Sequence, residues 1–102
     1  MELTGKAKEQ FEEYFYSLKD RYFNSVEMFY KASDSMKWGV YVDFFDSVGV
    51  YIEVGKGFDI QNYHFVIDDT IIYHECDLYK YDTRQEARTA AIEKANEIVN
   101  KR

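Results

Sequence analysis

A chain of 102 residues with a net charge of −6 and an aromatic content of 19% fits one domain spanning residues 1–102. Hydrophobic residues make up 46% of the chain, which excludes disorder by composition, and no apolar run reaches the length of a membrane span. A lone cysteine, Cys76, cannot form an internal disulfide and the first residues contain no apolar signal core, so we expect a cytoplasmic protein without a membrane partner.

The first third of the chain predicts helix. Apolar residues from Phe11 to Phe29 recur at spacings of three and four, as they do on one face of a helix. Asn24 followed by Glu27 resembles a capping box, so either one long helix or two helices with a break near Phe23 fit the pattern. The run Ser33-Asp34-Ser35 is expected to end this helical part.

The middle of the chain predicts a four-stranded antiparallel meander, because apolar and polar residues alternate in four successive runs. The runs begin near Trp38, Val48, Tyr63 and Ile71, and turn residues separate them. In this phase Val40, Val50, Phe65 and Ile72 face the helices, and the opposite face of the sheet meets solvent.

The last element is predicted to be a helix that starts at a capping box, Thr83-Arg84-Gln85-Glu86. Ala87, Ala91 and Ala95 line one face, and such small side chains let a helix lie close to a sheet. The predicted fold class is therefore α+β: one or two N-terminal helices, four strands and a C-terminal helix, with the helices on one face of the sheet.

The negative charge is concentrated in the predicted sheet, since residues 38–82 contain nine acids and two bases. With the strand phase given above, the face turned away from the helices combines carboxylates with tyrosines, which are enriched in protein interfaces. This predicted partner-binding face consists of Tyr41, Asp43, Tyr51, Glu53, Asp68, Tyr73, Glu75 and Asp77. A solvated face stabilised by cross-strand tyrosine pairs is the alternative interpretation.

Catalysis, metal and cofactors are not expected. Cys76 has acidic neighbours, which disfavour the reactive thiolate. The two histidines fall on opposite faces of the predicted sheet, and no ligand spacing typical of zinc sites occurs. The Asp43/Asp46 and Asp68/Asp69 pairs fall at predicted turns, where aspartate forms local hydrogen bonds. We therefore predict a protein that is not an enzyme.

Two stretches carry a resemblance. The segments from Trp38 to Asp46 and from Tyr81 to Asn100, above all TRQEAR…AIEKANEIVN, look like small phage and prophage accessory proteins, a class that includes anti-CRISPR proteins. The resemblance implies a short, acidic, non-enzymatic protein that binds and inhibits or modulates a nucleic-acid-handling host protein, with CRISPR-Cas effectors among the candidates, in the bacterial cytoplasm.

The charge distribution favours a basic surface of a host protein or protein–nucleic-acid complex as the partner, because acidic surfaces repel nucleic-acid backbones. The alternative starts from Arg84 and Arg88, whose pattern at the helix start resembles double-stranded-RNA-binding domains, while the helix with its preceding sheet resembles HicB-like antitoxins. That reading implies a nucleic-acid-binding module. The N-terminal part contains more aromatic residues than one helical face can bury, and those outside the core, such as Tyr14, Tyr16 and Phe23, could form the interface of a homodimer.

Overall fold

The computed structural model describes the chain apart from residues 20, 21, 57–61 and 70–72, and apart from the side chains of residues 69 and 73–80. The described residues form four helices and three strands. In chain order these are α1 (Gly5–Ser17), α2 (Val26–Tyr30), α3 (Asp34–Ser47), β1 (Val50–Lys56), β2 (Tyr63–Asp69), β3 (Tyr73–Tyr81) and α4 (Arg84–Asn100). The α+β class is as predicted.

The N-terminal part is two helices, one of the two arrangements that the sequence left open. Helix α1 ends at Ser17, and α2 starts after Ser25, whose hydroxyl accepts a hydrogen bond from the backbone N–H of Met28. The cap is therefore Ser25 and not the predicted Asn24. Phe11 and Phe15 of α1 pack on Phe29 of α2 with ring centroids 5.2 and 5.7 Å apart, so aromatic contacts hold the two helices together.

The first predicted strand is wrong, because residues 34–47 form helix α3. Ser33 does not end a helix but begins this one: its hydroxyl accepts a hydrogen bond from the N–H of Met36 at 3.3 Å. The buried residues of α3 are Lys37, Tyr41, Phe44 and Phe45, spaced three to four apart along one helical face. Val40 and Val42 therefore belong to a helix, and the described sheet has three strands instead of four.

The sheet is antiparallel in the order β1-β2-β3, which confirms the meander for the strands present. In the register of β1 and β2, Val50 pairs with Asp69, Ile52 with Ile67 and Lys56 with Tyr63. The buried residues of β1 and β2 are Val50, Ile52, Phe65 and Ile67. They alternate with residues that are exposed or half-buried, which confirms the predicted phase of these two strands.

Helix α4 packs against all three strands, as its small face predicted. Ala87, Ala91 and Ala95 are fully buried, and the hydroxyl of Thr83 accepts a hydrogen bond from the N–H of Glu86 at 3.1 Å. The start of the helix was therefore placed correctly from the capping pattern.

Candidate protein-interaction surfaces

The structure divides the predicted acidic tyrosine face among three places. Tyr41 lies on α3 with an exposed fraction of 0%, and its ring packs edge-on against Phe11 and Phe29, so the prediction that it faces a partner is wrong. Asp43 is exposed, but on α3 and not on the sheet. Both errors come from reading a helix as a strand.

Three of the predicted residues do lie together on the open face of the sheet. Tyr51 is 45% exposed and pairs directly with the exposed Asp68 across β1 and β2, and Glu53 follows on the same side of β1. Paired residues of an antiparallel ladder share one face of the sheet. This small patch is what the structure retains of the predicted surface.

The last three predicted residues belong to β3, where their side chains lie outside the described part. The backbone register sets Glu75 opposite Ile67 and Asp77 opposite Phe65, while the row of Tyr51 and Asp68 continues to His74. Tyr73 stands opposite Asp69, so the ladder does not join Tyr73, Glu75 and Asp77 to the row of Tyr51 and Asp68.

A larger surface feature was not predicted: an aromatic groove between α1, α3 and the segment that leads into α2. The groove has a volume of about 510 Å³. Its lining is almost entirely apolar: Tyr14, Phe15, Leu18, Tyr22, Phe23, Phe29, Met36, Val40 and Asp43. Tyr22 is 85% exposed and Met36 is 48% exposed, so large apolar side chains border an opening to solvent. Exposed apolar surface of this kind is typical of binding sites.

The floor of the aromatic groove is held by ring contacts with the core. Phe29 is fully buried and lies 5.7 Å from Phe23, centroid to centroid, in an edge-on contact. Tyr22 in turn packs edge-on against Phe23 at 5.1 Å. The buried ring of Phe29 is thus connected through Phe23 to the exposed ring of Tyr22.

The rim of the aromatic groove is acidic. Asp43 lines it and Asp46 follows one turn later on α3. Burial raises the pKa of Asp46, and the charge of Asp43 raises it further. Burial likewise raises the pKa of the Tyr14 hydroxyl, and both aspartates add to that shift, so the three groups lie close together. Among the described residues neither aspartate has an ion pair.

Two arginines form a second cluster at the start of α4. The Arg88 guanidinium lies over the Trp38 ring at 5.1 Å from its centroid, and the Arg84 guanidinium lies over the Tyr63 ring at 5.4 Å. Both arginines line a cleft of about 450 Å³ together with Trp38, Val42, Ile52, Glu53 and Val54. Stacking on aromatic faces holds a guanidinium in place while leaving the N–H groups at its edge available.

No group of three metal-ligating side chains occurs among the residues that the structure describes, and the side chains of His74 and Cys76 lie outside them. Within the same part of the chain, no helix is both long and apolar enough to cross a bilayer.

Comparison with protein-family models, with curated proteins and with solved structures finds no match.

Proposed function

We propose that this chain is a non-enzymatic binding protein, and that its aromatic groove receives an apolar side chain from a basic segment of a partner protein. The observation that carries this proposal is the combination of an open apolar groove with two neighbouring carboxylates, Asp43 and Asp46, that lack ion pairs among the described residues. A lysine or arginine beside the anchoring side chain would place a positive charge next to these aspartates.

The energetics of such a site come from two different sources. Burying one large apolar side chain contributes roughly 1.5–3 kcal/mol, which gives the groove its affinity. The aspartates contribute mainly to the rate of encounter and to the choice of partner, since exposed charge pairs add only about 0–1 kcal/mol. A segment with an apolar anchoring side chain would therefore fit the groove whether its other residues are acidic or basic, but basic segments are favoured.

The partner class that we propose is a nucleic-acid-handling protein of a bacterial host, including CRISPR-Cas effectors. Such proteins present basic channels, and an acidic protein can occupy them in place of nucleic acid. The resemblance of residues 38–46 and 81–100 to phage accessory proteins supports this class, as does the charge of −6. Binding would then inhibit or modulate the host protein without any chemical step, in the bacterial cytoplasm.

The groove is tested with a fluorescent, end-capped heptapeptide of alternating lysine and phenylalanine, and with its glutamate counterpart. The lysine peptide is expected to bind more tightly. The double variant Asp43→Asn/Asp46→Asn should reduce this preference several-fold. The matched control is Glu9→Gln/Glu13→Gln, which removes the same charge from two exposed positions of α1 outside the groove. Equal binding of both peptides, or an equal effect of both double variants, contradicts the acidic-rim argument.

The partner class is tested separately by measuring cleavage of target DNA by a panel of purified CRISPR effectors. Inhibition that grows with protein concentration and weakens in Asp43→Asn/Asp46→Asn supports the proposal. Absence of inhibition across the panel refutes the CRISPR assignment.

Occupation of the groove by a second copy is tested by sedimentation velocity. A dimer that dissociates on Tyr22→Ser would show that the groove serves self-association, against the proposal.

A further inference from the structure

Strand β1 has a neighbouring strand on one side only in the described part of the sheet. The order β1-β2-β3 makes β1 an edge strand. Among the described residues, no backbone hydrogen bond joins the outer side of β1 to another segment. An edge with unpaired N–H and C=O groups is a template for an added strand.

The cleft beside the arginines runs along this edge. Ile52, Glu53 and Val54 are consecutive residues, and all three line the cleft. Successive strand residues point to opposite faces of a sheet, so a cleft that contacts all three lies at the strand's edge and not over one face. Trp38 and Val42 of α3 form the facing wall. Three strand residues span about 10 Å, which is room for a short extended segment.

The charge of the cleft specifies the occupant. Arg84 and Arg88 line it, and within the described part of the chain neither forms an ion pair with a carboxylate. The Nε atom of Arg88 is buried, and no described residue forms a hydrogen bond with it. Glu53 is the carboxylate among the lining residues, so the positive charges outnumber it by two to one. Guanidinium groups bind carboxylates with two parallel hydrogen bonds.

We propose that an extended acidic peptide segment pairs with the outer edge of β1 and places its carboxylates on Arg84 and Arg88. The backbone of the segment supplies strand pairing, and the arginines select for acidic side chains. A peptide is favoured over RNA because the cleft lies along an open strand edge, whose N–H and C=O groups pair with another peptide backbone and not with RNA. This surface is separate from the aromatic groove, and the inference does not rest on the proposed function.

The test uses an end-capped heptapeptide, Thr-Glu-Val-Glu-Val-Glu-Thr, added to the full chain. Trp38 is the one tryptophan of the sequence and lines the cleft, so its fluorescence reports occupation. The amide chemical shifts of Ile52, Glu53 and Val54 report strand pairing. Saturable changes in both signals are expected, and their absence at millimolar peptide overturns the proposal.

Two altered peptides separate the contributions. A version with lysine in place of glutamate is expected to bind at least about tenfold more weakly, since one lost charge-assisted hydrogen-bond pair corresponds to about this factor. A version with N-methyl groups on alternate backbone nitrogens should not bind, because it cannot complete the ladder. Binding of the N-methylated peptide with unchanged affinity would rule out strand addition.

Protein variants complete the experiment. Arg84→Gln/Arg88→Gln should weaken binding of the glutamate peptide at least about tenfold and should not weaken binding of the lysine peptide. The control Lys94→Gln/Lys101→Gln removes two positive charges in and just after the C-terminal half of α4, and this variant should bind like the original chain. The aromatic-groove variant Asp43→Asn/Asp46→Asn should also bind normally, so failure of either proposal is distinguishable. If double-stranded RNA binds in an arginine-dependent manner and the glutamate peptide does not, the site is a nucleic-acid site and the proposal is overturned.

Discussion

Replacement of Tyr41 by phenylalanine is expected to stabilise the protein, although it removes a polar group from a fully buried residue. The ring of Tyr41 packs between those of Phe11 and Phe29, at 5.0 and 5.4 Å. Its hydroxyl is buried, and it has no hydrogen-bond partner among the residues that the structure describes. Phenylalanine keeps the ring contacts and removes only this oxygen.

The magnitude follows from two opposing terms. A buried hydroxyl without a partner costs about 1–3 kcal/mol in desolvation, which Tyr41→Phe recovers. The oxygen also makes a few van der Waals contacts, whose loss is worth up to about 1 kcal/mol. The net expectation is a gain of about 1 kcal/mol in the free energy of unfolding. For a chain of this size that corresponds to a rise of about 4–8 °C in Tm.

Urea unfolding followed by circular dichroism measures the change, and Tyr30→Phe is the matched control. The Tyr30 hydroxyl donates a hydrogen bond to Glu12 Oε1 at 3.1 Å, so its removal should destabilise the chain by about 1 kcal/mol. The two substitutions therefore have opposite signs. A lower unfolding midpoint for Tyr41→Phe with an unchanged m-value would show that the hydroxyl has a partner such as an enclosed water, and would refute the reasoning.

Three further predictions concern stability. Burial raises the pKa of Tyr30 and Tyr41 above the ordinary 10.0, so these tyrosines lose their protons at lower pH in the unfolded chain than in the folded one. The free energy of unfolding is therefore at its full value below pH 10. Above pH 10 it falls by up to about 1.4 kcal/mol per pH unit for each tyrosine. Urea midpoints between pH 9 and about 11 measure this decline, and a flat profile would contradict it. Thr83→Ala should cost about 1 kcal/mol, and Thr83→Ser, which keeps the hydroxyl cap, should cost less. Asn100→Ala should cost about 1–2 kcal/mol because Asn100 Oδ1 accepts the N–H of Ala7 at 2.8 Å; hydrogen exchange should accelerate in α1 first, and uniform acceleration would argue against a local cap.

The parts of the fold that could be predicted are those where the apolar residues follow a single periodicity, either that of a strand or that of a helix. Val50 and Ile52 alternate with Tyr51 and Glu53, and no helical stripe fits this run, so the strand and its phase were determined. In α4 the alanine face and the Thr83 cap agree with each other. Where several local signals agree in this way, the type of element follows from the sequence, because tertiary packing does not favour a different one.

The segment 34–47 could not be assigned from periodicity, because its apolar residues fit both periods. Val40, Val42 and Phe44 alternate as in a strand, while Tyr41, Phe44 and Phe45 also fall on one helical face. β-branched and aromatic residues favour strand by propensity, but packing against α1 and β1 decided the outcome. The hydroxyl of Ser33 caps the start of α3, but Ser33-Asp34-Ser35 is equally typical of a helix end, so this signal is ambiguous in the sequence.

The aromatic groove was missed for a related reason. Surplus aromatics such as Tyr14 and Phe23 were recognised as too many for one stripe, but the sequence does not show which helix they face. Asp43 joined them only because residue 43 lies on α3 and not on a strand. On the sheet, by contrast, Tyr51 and Asp68 came together as predicted, since their strand phase was correct.

Helix α1 has no side-chain cap of its own, and α4 supplies one from the other end of the chain. The N–H of Thr4 donates to Asn96 Oδ1 at 2.8 Å and the N–H of Ala7 donates to Asn100 Oδ1, across 92 and 93 residues of sequence. Because α1 is synthesised before α4, the N–H groups at its amino end have no Asn96 or Asn100 acceptor until α4 has been translated. We therefore expect α1 to fold stably only together with α4. In a nascent chain stalled before Asn96, α1 should be cleaved by proteases.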